Sequence, residues 1–219
     1  DSFSRDHLRV LLAINSKVSL AIDNALRYQQ ARIEATTDAL TSLPNASSVF
    51  MHLETELTFA GRQASRVAVM VCDLDGFKQV NDRFGHLAGN RVLQAVGRRL
   101  KAECLGGEYV ARMGGDEFVI AVPDADEQRV ALKRERFAAI VAQIGLDVCG
   151  DSTLGLSVGT AYYPEDGVDT ESLLAVADRR MYAEKAFHKR TAAHLNLGVD
   201  LTSLERSISA TRPAVARPT

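Results

Sequence analysis

Two short acidic motifs contain the side chains of this chain that are best suited to chemistry. Asp73 and Asp75 lie two positions apart at the end of an apolar, β-rich run, and strand alternation points both carboxylates to the same side. Asp116 and Glu117 directly follow a Gly-Gly pair. Carboxylates on neighbouring strand ends form an oxygen-rich site of the kind that binds Mg²⁺, which also bridges to substrate phosphates. These residue types indicate magnesium chemistry on a phosphorylated substrate.

The two glycines of the second motif, Gly114 and Gly115, leave the backbone open where a base or a phosphate could approach it. Short motifs are common by chance, however. An Asp-x-Asp pair usually marks a solvated strand end, and a Gly-Gly-Asp sequence usually marks a turn. Neither motif identifies a function unless other parts of the chain agree with it.

The elements that must position these motifs predict an α+β fold. Strands are expected at residues 67–72, 109–113, 118–122 and 153–163, with the middle two forming a hairpin across the Gly-Gly pair. Helices are expected at residues 4–37, 45–60 (ended by Gly61), 77–84, from 88 onward, 126–144 and 170–187. Because a hairpin is antiparallel, we expect a central, mostly antiparallel sheet flanked by helices and preceded by a long helix. The final ten residues are predicted to be disordered.

The composition excludes several classes of protein. The 219 residues include 46% hydrophobic and 25% charged residues with a net charge of −2, which is typical of a folded globular domain and argues against binding to duplex nucleic acid. The three cysteines show no disulfide or zinc spacing. No apolar run approaches the length of a membrane span and no signal peptide is visible. We therefore expect a cytoplasmic location.

The first helix has a heptad pattern. The apolar positions that repeat every seven residues are Leu11, Val18 and Ala25, together with Ile14, Ala21 and Tyr28. This spacing is typical of a coiled coil and predicts a dimer-forming helix. A helix packed against its own domain is the alternative, because the pattern lasts only about three heptads.

Five motifs in the same order resemble those of the GGDEF family of diguanylate cyclases. The signature Gly-Gly-Asp-Glu-Phe occupies residues 114–118. The others are Asp38-x-Leu-Thr-x-Leu-x-Asn45, Asp73-Leu-Asp-x-Phe-Lys-x-x-Asn-Asp-x-x-Gly-His-x-x-Gly89, Ser157-Val-Gly159 and Ala177-Asp-x-x-Met-Tyr-x-x-Lys185. The resemblance predicts three parts: a signalling and dimerisation helix (1–37), a catalytic GGDEF domain (38–190) and a C-terminal tail (191–219).

The resemblance implies a fold and a set of roles. The fold is similar to the palm of polymerases and adenylyl cyclases, with a ferredoxin-like core. The implied metal ligands of Mg²⁺ are Asp73, Asp116 and the carbonyl of Leu74, and the implied catalytic residues are Asp116 and Glu117. The implied substrate-binding residues are Lys78 and Lys185 for phosphate, Asn81 for guanine, and His86, Asn90, Gly114 and Gly115 around the nucleotide. Without the resemblance, Lys185 would be interpreted as a solvated helix lysine.

The implied activity is synthesis of cyclic di-GMP from two GTP molecules. The 3′-hydroxyl of each nucleotide would attack the α-phosphorus of the other, releasing pyrophosphate with help from Mg²⁺. Because each domain holds one GTP, two domains must face each other, so a homodimer is expected, controlled through the first helix by an upstream sensor. The alternative is a catalytically silent module that binds GTP, although the intact acidic set argues against it.

Position 90 departs from the family pattern, which usually has Asp after the glycine. The amide of Asn90 offers guanine one acceptor and one opposing donor, and suits the edge of adenine better. An unpaired buried polar group costs about 1–3 kcal/mol. Relaxed base choice with use of ATP is therefore one interpretation, and the other is that Asn90 makes one adequate bond while Asn81 supplies the rest.

A second departure concerns feedback by the product. Many family members have Arg-x-x-Asp shortly before the signature, whereas this chain has Leu105 and Glu108. The arginine that would bind a product phosphate is missing. We therefore expect no product inhibition through that site.

Overall fold

A computed structural model describes residues 5–150 and 153–209 of the chain. The predicted disorder of residues 210–219 lies outside the described part. The elements, in chain order, are α1 (Arg5–Thr36), α2 (Ala46–Gln63), β1 (Val67–Asp75), α3 (Phe77–Phe84), α4 (His86–Glu103), β2 (Tyr109–Gly114), β3 (Glu117–Pro123), α5 (Glu127–Cys149), β4 (Gly155–Tyr163) and α6 (Thr170–Ser209).

The four strands form one sheet in the order β2-β3-β1-β4. All three pairings are antiparallel, so the predicted mostly antiparallel sheet is confirmed. Strands β2 and β3 form the predicted hairpin, and β1 occupies the middle with β3 on one side and β4 on the other. The βαββαβ order with this strand arrangement is the ferredoxin-like core that the family resemblance implied.

Alternation along β1 divides the core into two layers. Ala68, Met70, Cys72 and Leu74 belong to the cluster formed with α4 and α5. The intervening Val67, Val69 and Val71 belong to the cluster formed with α2 and α6. Continuing this alternation places Asp73 and Asp75 on the α6 side of the sheet. Strand β1 ends at Asp75, three residues beyond the predicted end at 72, so both carboxylates lie within the strand.

Several helix boundaries differ from the predictions, including the end of α5, which lies at Cys149 rather than at residue 144. Helix α2 continues through Gly61 and ends only before Ala64, which adopts a left-handed conformation with φ of 51°. A Cβ at position 61 would lie 3.0 Å from the hydroxyl of Tyr163, so this glycine serves packing rather than termination. Helix α4 begins at His86, directly after the break at Gly85 and two residues before the predicted start. The prediction missed these residues because the exposed first turn has no apolar stripe.

The predicted end of the last helix at residue 187 is wrong, because α6 continues to Ser209. Residues 188–209 contain no proline to stop the helix. The division at residue 191 between domain and tail consequently falls inside one continuous helix. Among the described residues, none of the helices is both long enough and apolar enough to cross a membrane.

Helix α6 packs on β4 at the distance of backbone contact. A Cβ added to Gly159 would lie 1.8 Å from the carbonyl oxygen of Ala177 and 2.3 Å from the amide nitrogen of Met181. The absence of a side chain at this position therefore sets the separation between the helix and the sheet. Because Lys185 lies one turn after Met181, this contact also sets its approach to β1.

Candidate active site

The two acidic motifs meet at one end of the sheet. In the antiparallel register, Asp73 of β1 lies opposite Glu117 of β3 on one side and opposite Ser157 of β4 on the other. The amide of Leu74 donates a hydrogen bond to the carbonyl oxygen of Asp116 over 3.3 Å. This backbone bond ties the signature turn to the end of β1, and the sheet register thereby brings the predicted acidic residues together.

Asp73 is 5% exposed and pairs with Lys185 of α6, whose Nζ lies 2.5 Å from Oδ1. Burial raises the pKa of Asp73, and the charges of Asp116 and Asp75 raise it further against the opposing effect of Lys185. The pKa of Lys185 is raised as well, because its contact with Asp73 and the nearby acidic charges outweigh the effect of burial. The predicted phosphate contact thus lies within the acidic cluster.

Glu117 experiences the same negative environment. Burial raises its pKa, and the carboxylates of Asp73 and Asp116 raise it further. Crowded carboxylates whose ionised forms are disfavoured are a favourable setting for a cation. One lysine ammonium partly neutralises them in the ligand-free protein.

The donor set fits Mg²⁺. Carboxylate and carbonyl oxygens are hard ligands, and Mg²⁺ is usually bound by one or two carboxylates together with water and substrate phosphate. Across residues 5–150 and 153–209, no group of three or more His, Cys, Asp or Glu side chains could enclose a metal ion by itself. An open site completed by a phosphorylated substrate is consistent with this, and Asp73, Asp116 and Leu74 are the residues that would hold the ion.

The turn of the signature motif is exposed at its two glycines and is held in place by Arg112 and Asp38, a pair that we call the brace. Gly114 and Gly115 have φ values of 149° and 52°, and apart from their immediate chain neighbours no described residue has an atom within 4 Å of a Cβ built on either. Arg112 donates to the carbonyl oxygen of Gly115 from Nε at 3.0 Å and from Nη2 at 2.6 Å. Its Nη1 lies 3.0 Å from each carboxylate oxygen of Asp38. The backbone is therefore accessible to a ligand while its position is fixed.

Asp38 is the anchor of this brace. Its carboxylate also accepts from the amide of Thr41 at 2.8 Å and from its hydroxyl at 2.6 Å. Burial opposes ionisation of Asp38, but the hydrogen bonds from Thr41 and Arg112 prevail and lower its pKa. The first motif thus positions the signature motif from 74 residues away.

We expect Arg112→Ala to lower the rate of any reaction that depends on this turn by about ten- to a hundredfold, because hydrogen bonds to a charged group contribute about 1.5–3 kcal/mol each. Arg112→Lys should restore little, since one ammonium group cannot bridge Asp38 and Gly115 in the same planar geometry. Steady-state kinetics would measure both, with Arg99→Ala on the exposed face of α4 as a matched control. Equal activity of the lysine variant and the wild type would contradict the brace.

The predicted nucleotide-binding residues lie on α3 and the start of α4. Asn81 packs over Gly89, where an added Cβ would lie 2.1 Å from Oδ1 of the amide. Lys78, His86 and Asn90 are exposed. The structure therefore brings Asn81 next to position 90, and the roles of these four residues stay predictions.

Several residues at the site had no role predicted from the sequence. Asp38 and Ser157 occur in the matched motifs but have no obvious chemistry there. Arg112 lies two positions before the signature, which was a usable signal. His188 carried no local signal, because its contacts with Asp75 and Ser157 are formed only by tertiary packing.

Glu108, at the second position that departs from the family, is an internal residue. Its side chain is 1% exposed and pairs with Arg129 and Lys133, each at 2.7 Å. It also accepts from the amide of Leu105 at 2.9 Å. Burial opposes ionisation, but these partners prevail and lower the pKa of Glu108.

We expect Glu108→Gln to lower the free energy of unfolding by about 1–3 kcal/mol at neutral pH, the usual cost of leaving buried partners unsatisfied. Because the folded-state pKa is depressed, the contribution of Glu108 is complete above its unfolded pKa and is lost as pH falls through the folded value. The difference between wild type and variant should therefore shrink on acidification. Denaturant unfolding at several pH values would measure it, with the more exposed Glu103→Gln as control, and a difference independent of pH would contradict the assignment.

Comparison with known proteins places this geometry in a family. The chain matches the family described as "Diguanylate cyclase, GGDEF domain" over residues 35–191. Diguanylate cyclase DgcP of Escherichia coli (strain K12) is 35% identical over 176 residues, covering 78% of this chain and 51% of the relative. Diguanylate cyclase TpbB of Pseudomonas aeruginosa (strain UCBPP-PA14) is 36% identical over 169 residues, covering 74% and 38%. The chain thus spans about half the length, or less, of these curated relatives.

Solved structures show the same fold. The coiled coil and GGDEF domain of DgcB from Caulobacter crescentus, in complex with c-di-GMP, has a TM-score of 0.69 at 26% identity, with 82% of this chain and 94% of that chain covered. A sensory box/GGDEF family protein from Caulobacter crescentus has a TM-score of 0.63 at 35% identity, with 69% and 98% covered. On the family match over residues 35–191 and these relatives, the chain belongs to the GGDEF-domain family of diguanylate cyclases.

Proposed function

We propose that this chain synthesises cyclic di-GMP from two molecules of GTP. The observation that carries the proposal is the convergence of Asp73, Asp116 and Glu117 beside Lys185, next to an open glycine turn. A carboxylate cluster with a paired ammonium group suits the binding of a metal-bound triphosphate.

The chemistry is an in-line displacement at phosphorus. The displacement takes place twice. Each time, the 3′-hydroxyl of one nucleotide gives up its proton to water, its oxygen forms a bond to the α-phosphorus of the other nucleotide, the bond from that phosphorus to the oxygen that bridges to the β-phosphate breaks, and pyrophosphate leaves. The second displacement closes the ring. When held by Asp73, Asp116 and the carbonyl of Leu74, Mg²⁺ would neutralise charge on the phosphates and favour ionisation of the attacking hydroxyl. Lys185 exchanges Asp73 for a phosphate oxygen, and Lys78 provides a second phosphate contact. Glu117, which lies opposite Asp73 in the sheet, is the second proposed catalytic residue beside Asp116.

Two active sites must face each other for this reaction, and we propose that α1 brings them together as a homodimer. The heptad residues Leu11, Ile14, Val18 and Tyr28 are 49–74% exposed in the single chain, which supports pairing with a second copy over packing within one domain. In this proposal, residues 1–37 are the signalling and dimerisation helix, 38–190 the catalytic domain and 191–219 the C-terminal tail. An upstream sensor acts through α1.

Product analysis tests the activity. The full chain is incubated with Mg²⁺ and GTP, ATP or both, and the products are identified by mass spectrometry, with Asp116→Ala as control. Cyclic di-GMP from GTP alone, lost in the control, is the expected result. GTP binding without product in any mixture would instead favour a silent nucleotide-binding module.

Dimerisation is tested by a charge in the heptad seam. Val18→Glu should lower both the molecular mass in solution and the activity at low protein concentration, because the seam would then contain two facing carboxylates. Ser16→Glu, on the outer side of the same helix, is the matched control. Equal mass and activity of wild type and the Val18 variant would contradict a role for α1.

A second candidate function is a cyclase that also accepts ATP, and Asn90 favours it. Asn90→Asp restores the acceptor pair that suits guanine. If base choice is relaxed, this change should increase the preference for GTP over ATP by about ten- to a hundredfold. An unchanged preference would show that Asn90 is a tolerated variation.

The position of Glu108 supports the proposed lack of product inhibition. Its carboxylate is already bonded to Arg129 and Lys133, and Leu105 offers no charge for a phosphate. Added cyclic di-GMP should therefore leave the initial rate unchanged at concentrations well above the enzyme concentration. Inhibition that Leu105→Ala or Glu108→Gln relieves would contradict this proposal.

A further inference from the structure

Two carboxylates of β1 each contact one residue of α6. Asp73 contacts Lys185, as described, and Oδ2 of Asp75 lies 2.9 Å from Nδ1 of His188. The strand positions are two apart and the helix positions three apart, so each pair shares one face of its element. Both contacts join the end of β1 to α6. We call the Asp73–Lys185 contact the first rung and the Asp75–His188 contact the second rung.

The second rung includes a third strand. The hydroxyl of Ser157, a fully buried residue of β4, donates to the same Oδ2 at 2.7 Å and lies 3.2 Å from Nδ1 of His188. An imidazole with its proton on Nδ1 donates to Asp75 whether it is neutral or charged. Nε2 lies 3.9 Å from Glu184, which is too long for a hydrogen bond. Only the Nδ1 side therefore forms the rung.

The two rungs differ in what happens to them when substrate binds. Under the proposed function, Lys185 leaves Asp73 for a phosphate, so the first rung breaks. Asp75, Ser157 and His188 have no assigned ligand and keep their contacts. One turn before His188, Glu184 accepts a hydrogen bond from the amide of Val158 at 2.9 Å and pairs with Arg134. Helix α6 is therefore attached to β4 both before and after Lys185.

We propose that His188 is a positioning residue. Through Asp75 and Ser157 it holds α6 against β1 and β4, and it keeps Lys185 aligned while the ammonium group moves from Asp73 to a phosphate of GTP. The inference rests on the proposed function and deepens it, because it assigns a residue to the transfer of Lys185 between its two partners.

A double-mutant cycle tests the inference. The probes are Mg²⁺ with a GTP analogue that has a methylene bridge between the α- and β-phosphates, for the dissociation constant, and Mg²⁺ with GTP, for kcat and KM. His188→Ala should weaken binding and raise KM by about tenfold, the effect of about 1.4 kcal/mol. The double variant His188→Ala with Lys185→Ala should bind no more weakly than Lys185→Ala alone, because His188 acts through Lys185.

Replacement by amides separates positioning from general stability. The amide nitrogen of Asn lies close to the position of Nδ1, so His188→Asn should restore KM to within about threefold of wild type. His188→Gln has its donor further from the backbone and should behave like His188→Ala. The melting temperatures of all variants should stay close to that of wild type even where KM rises tenfold, since the side chain of His188 is 42% exposed.

Three outcomes would overturn the inference: additive losses in the double variant, no effect of His188→Ala, or equal rescue by Asn and Gln. Failure of the proposed function is distinguishable from these. A wild type that binds the analogue but forms no product refutes cyclase activity, and the cycle of dissociation constants still decides the role of His188. A wild type that binds no guanine nucleotide refutes both proposals.

Discussion

Asp73→Asn is expected to lower kcat for the proposed synthesis of cyclic di-GMP by about a thousandfold or more. The variant keeps the shape of the side chain but removes the charge that would hold Mg²⁺, and bound metal contributes several kcal/mol of charge stabilisation in such reactions. It also removes the ionic partner of Lys185. Initial rates of product formation over a range of Mg²⁺ concentrations would measure the loss.

The same variant should not be less stable without ligand. Because burial and neighbouring carboxylates raise the pKa of Asp73, ionisation disfavours the folded state. The sign follows from linkage: stability associated with the protonated carboxyl is present below the unfolded pKa and is lost as pH rises through the folded pKa. A neutral amide avoids this loss at neutral pH, while the loss of the ionic partner of Lys185 acts in the opposite direction, so the melting temperature of the variant should stay close to that of wild type.

Asp82→Asn is the matched control, because Asp82 is exposed on α3 outside the acidic cluster. It should keep wild-type kinetics and melting temperature. Substantial activity of Asp73→Asn at saturating Mg²⁺ would remove Asp73 from the metal site. A large fall in its melting temperature would show instead that the Asp73–Lys185 pair stabilises the fold.

Gly159→Ala is expected to have the largest effect on stability. Its Cβ would lie 1.8 Å from the carbonyl oxygen of Ala177, and backbone atoms on both sides of the contact leave no flexible side chain to move aside. Overpacking of a core commonly costs about 1–3 kcal/mol and sometimes more. Chemical denaturation should show a loss at the upper end of that range, together with a rise in KM because α6 carries Lys185 away from β1.

Gly155→Ala on the same strand is the control. Its Cβ would lie 3.4 Å from Cβ of Asp75, an ordinary van der Waals contact. The alanine at position 155 should change the free energy of unfolding far less than the alanine at position 159. Equal effects of the two substitutions would mean that α6 can shift away from β4 at little cost.

Local patterns predicted the sheet and the meeting of the acidic motifs. The apolar run that starts at Val67, the hairpin glycines and the alternation of Asp73 with Asp75 are all features of neighbouring residues, and antiparallel pairing then brings the motifs to one end of the sheet. The same rules misplaced the end of α2, since Gly61 is accommodated by packing against Tyr163. Local sequence does not reveal that kind of contact.

The contacts that complete the site join residues far apart in the chain. Lys185 meets Asp73 across 112 positions, and Arg112 meets Asp38 across 74. Such pairs depend on how α6 and the first motif dock on the sheet, which spacing within one segment cannot specify. The family resemblance implied that Lys185 contacts a phosphate, but only the structure showed that it pairs with Asp73.

The position of β1 in the middle of the sheet has a consequence for how the protein opens. Asp73 lies on the strand that is hydrogen-bonded on both sides, whereas Gly114 and Gly115 lie on an exposed turn. Interior strands generally exchange their amide hydrogens only in rare, large-scale opening, and exposed turns do so in small local fluctuations. One half of the site should therefore open together with the whole fold, whereas the other half is held in place by the contacts of Arg112 and by the backbone bond from Leu74 to Asp116, so the exchange of its amides should respond to the loss of those contacts.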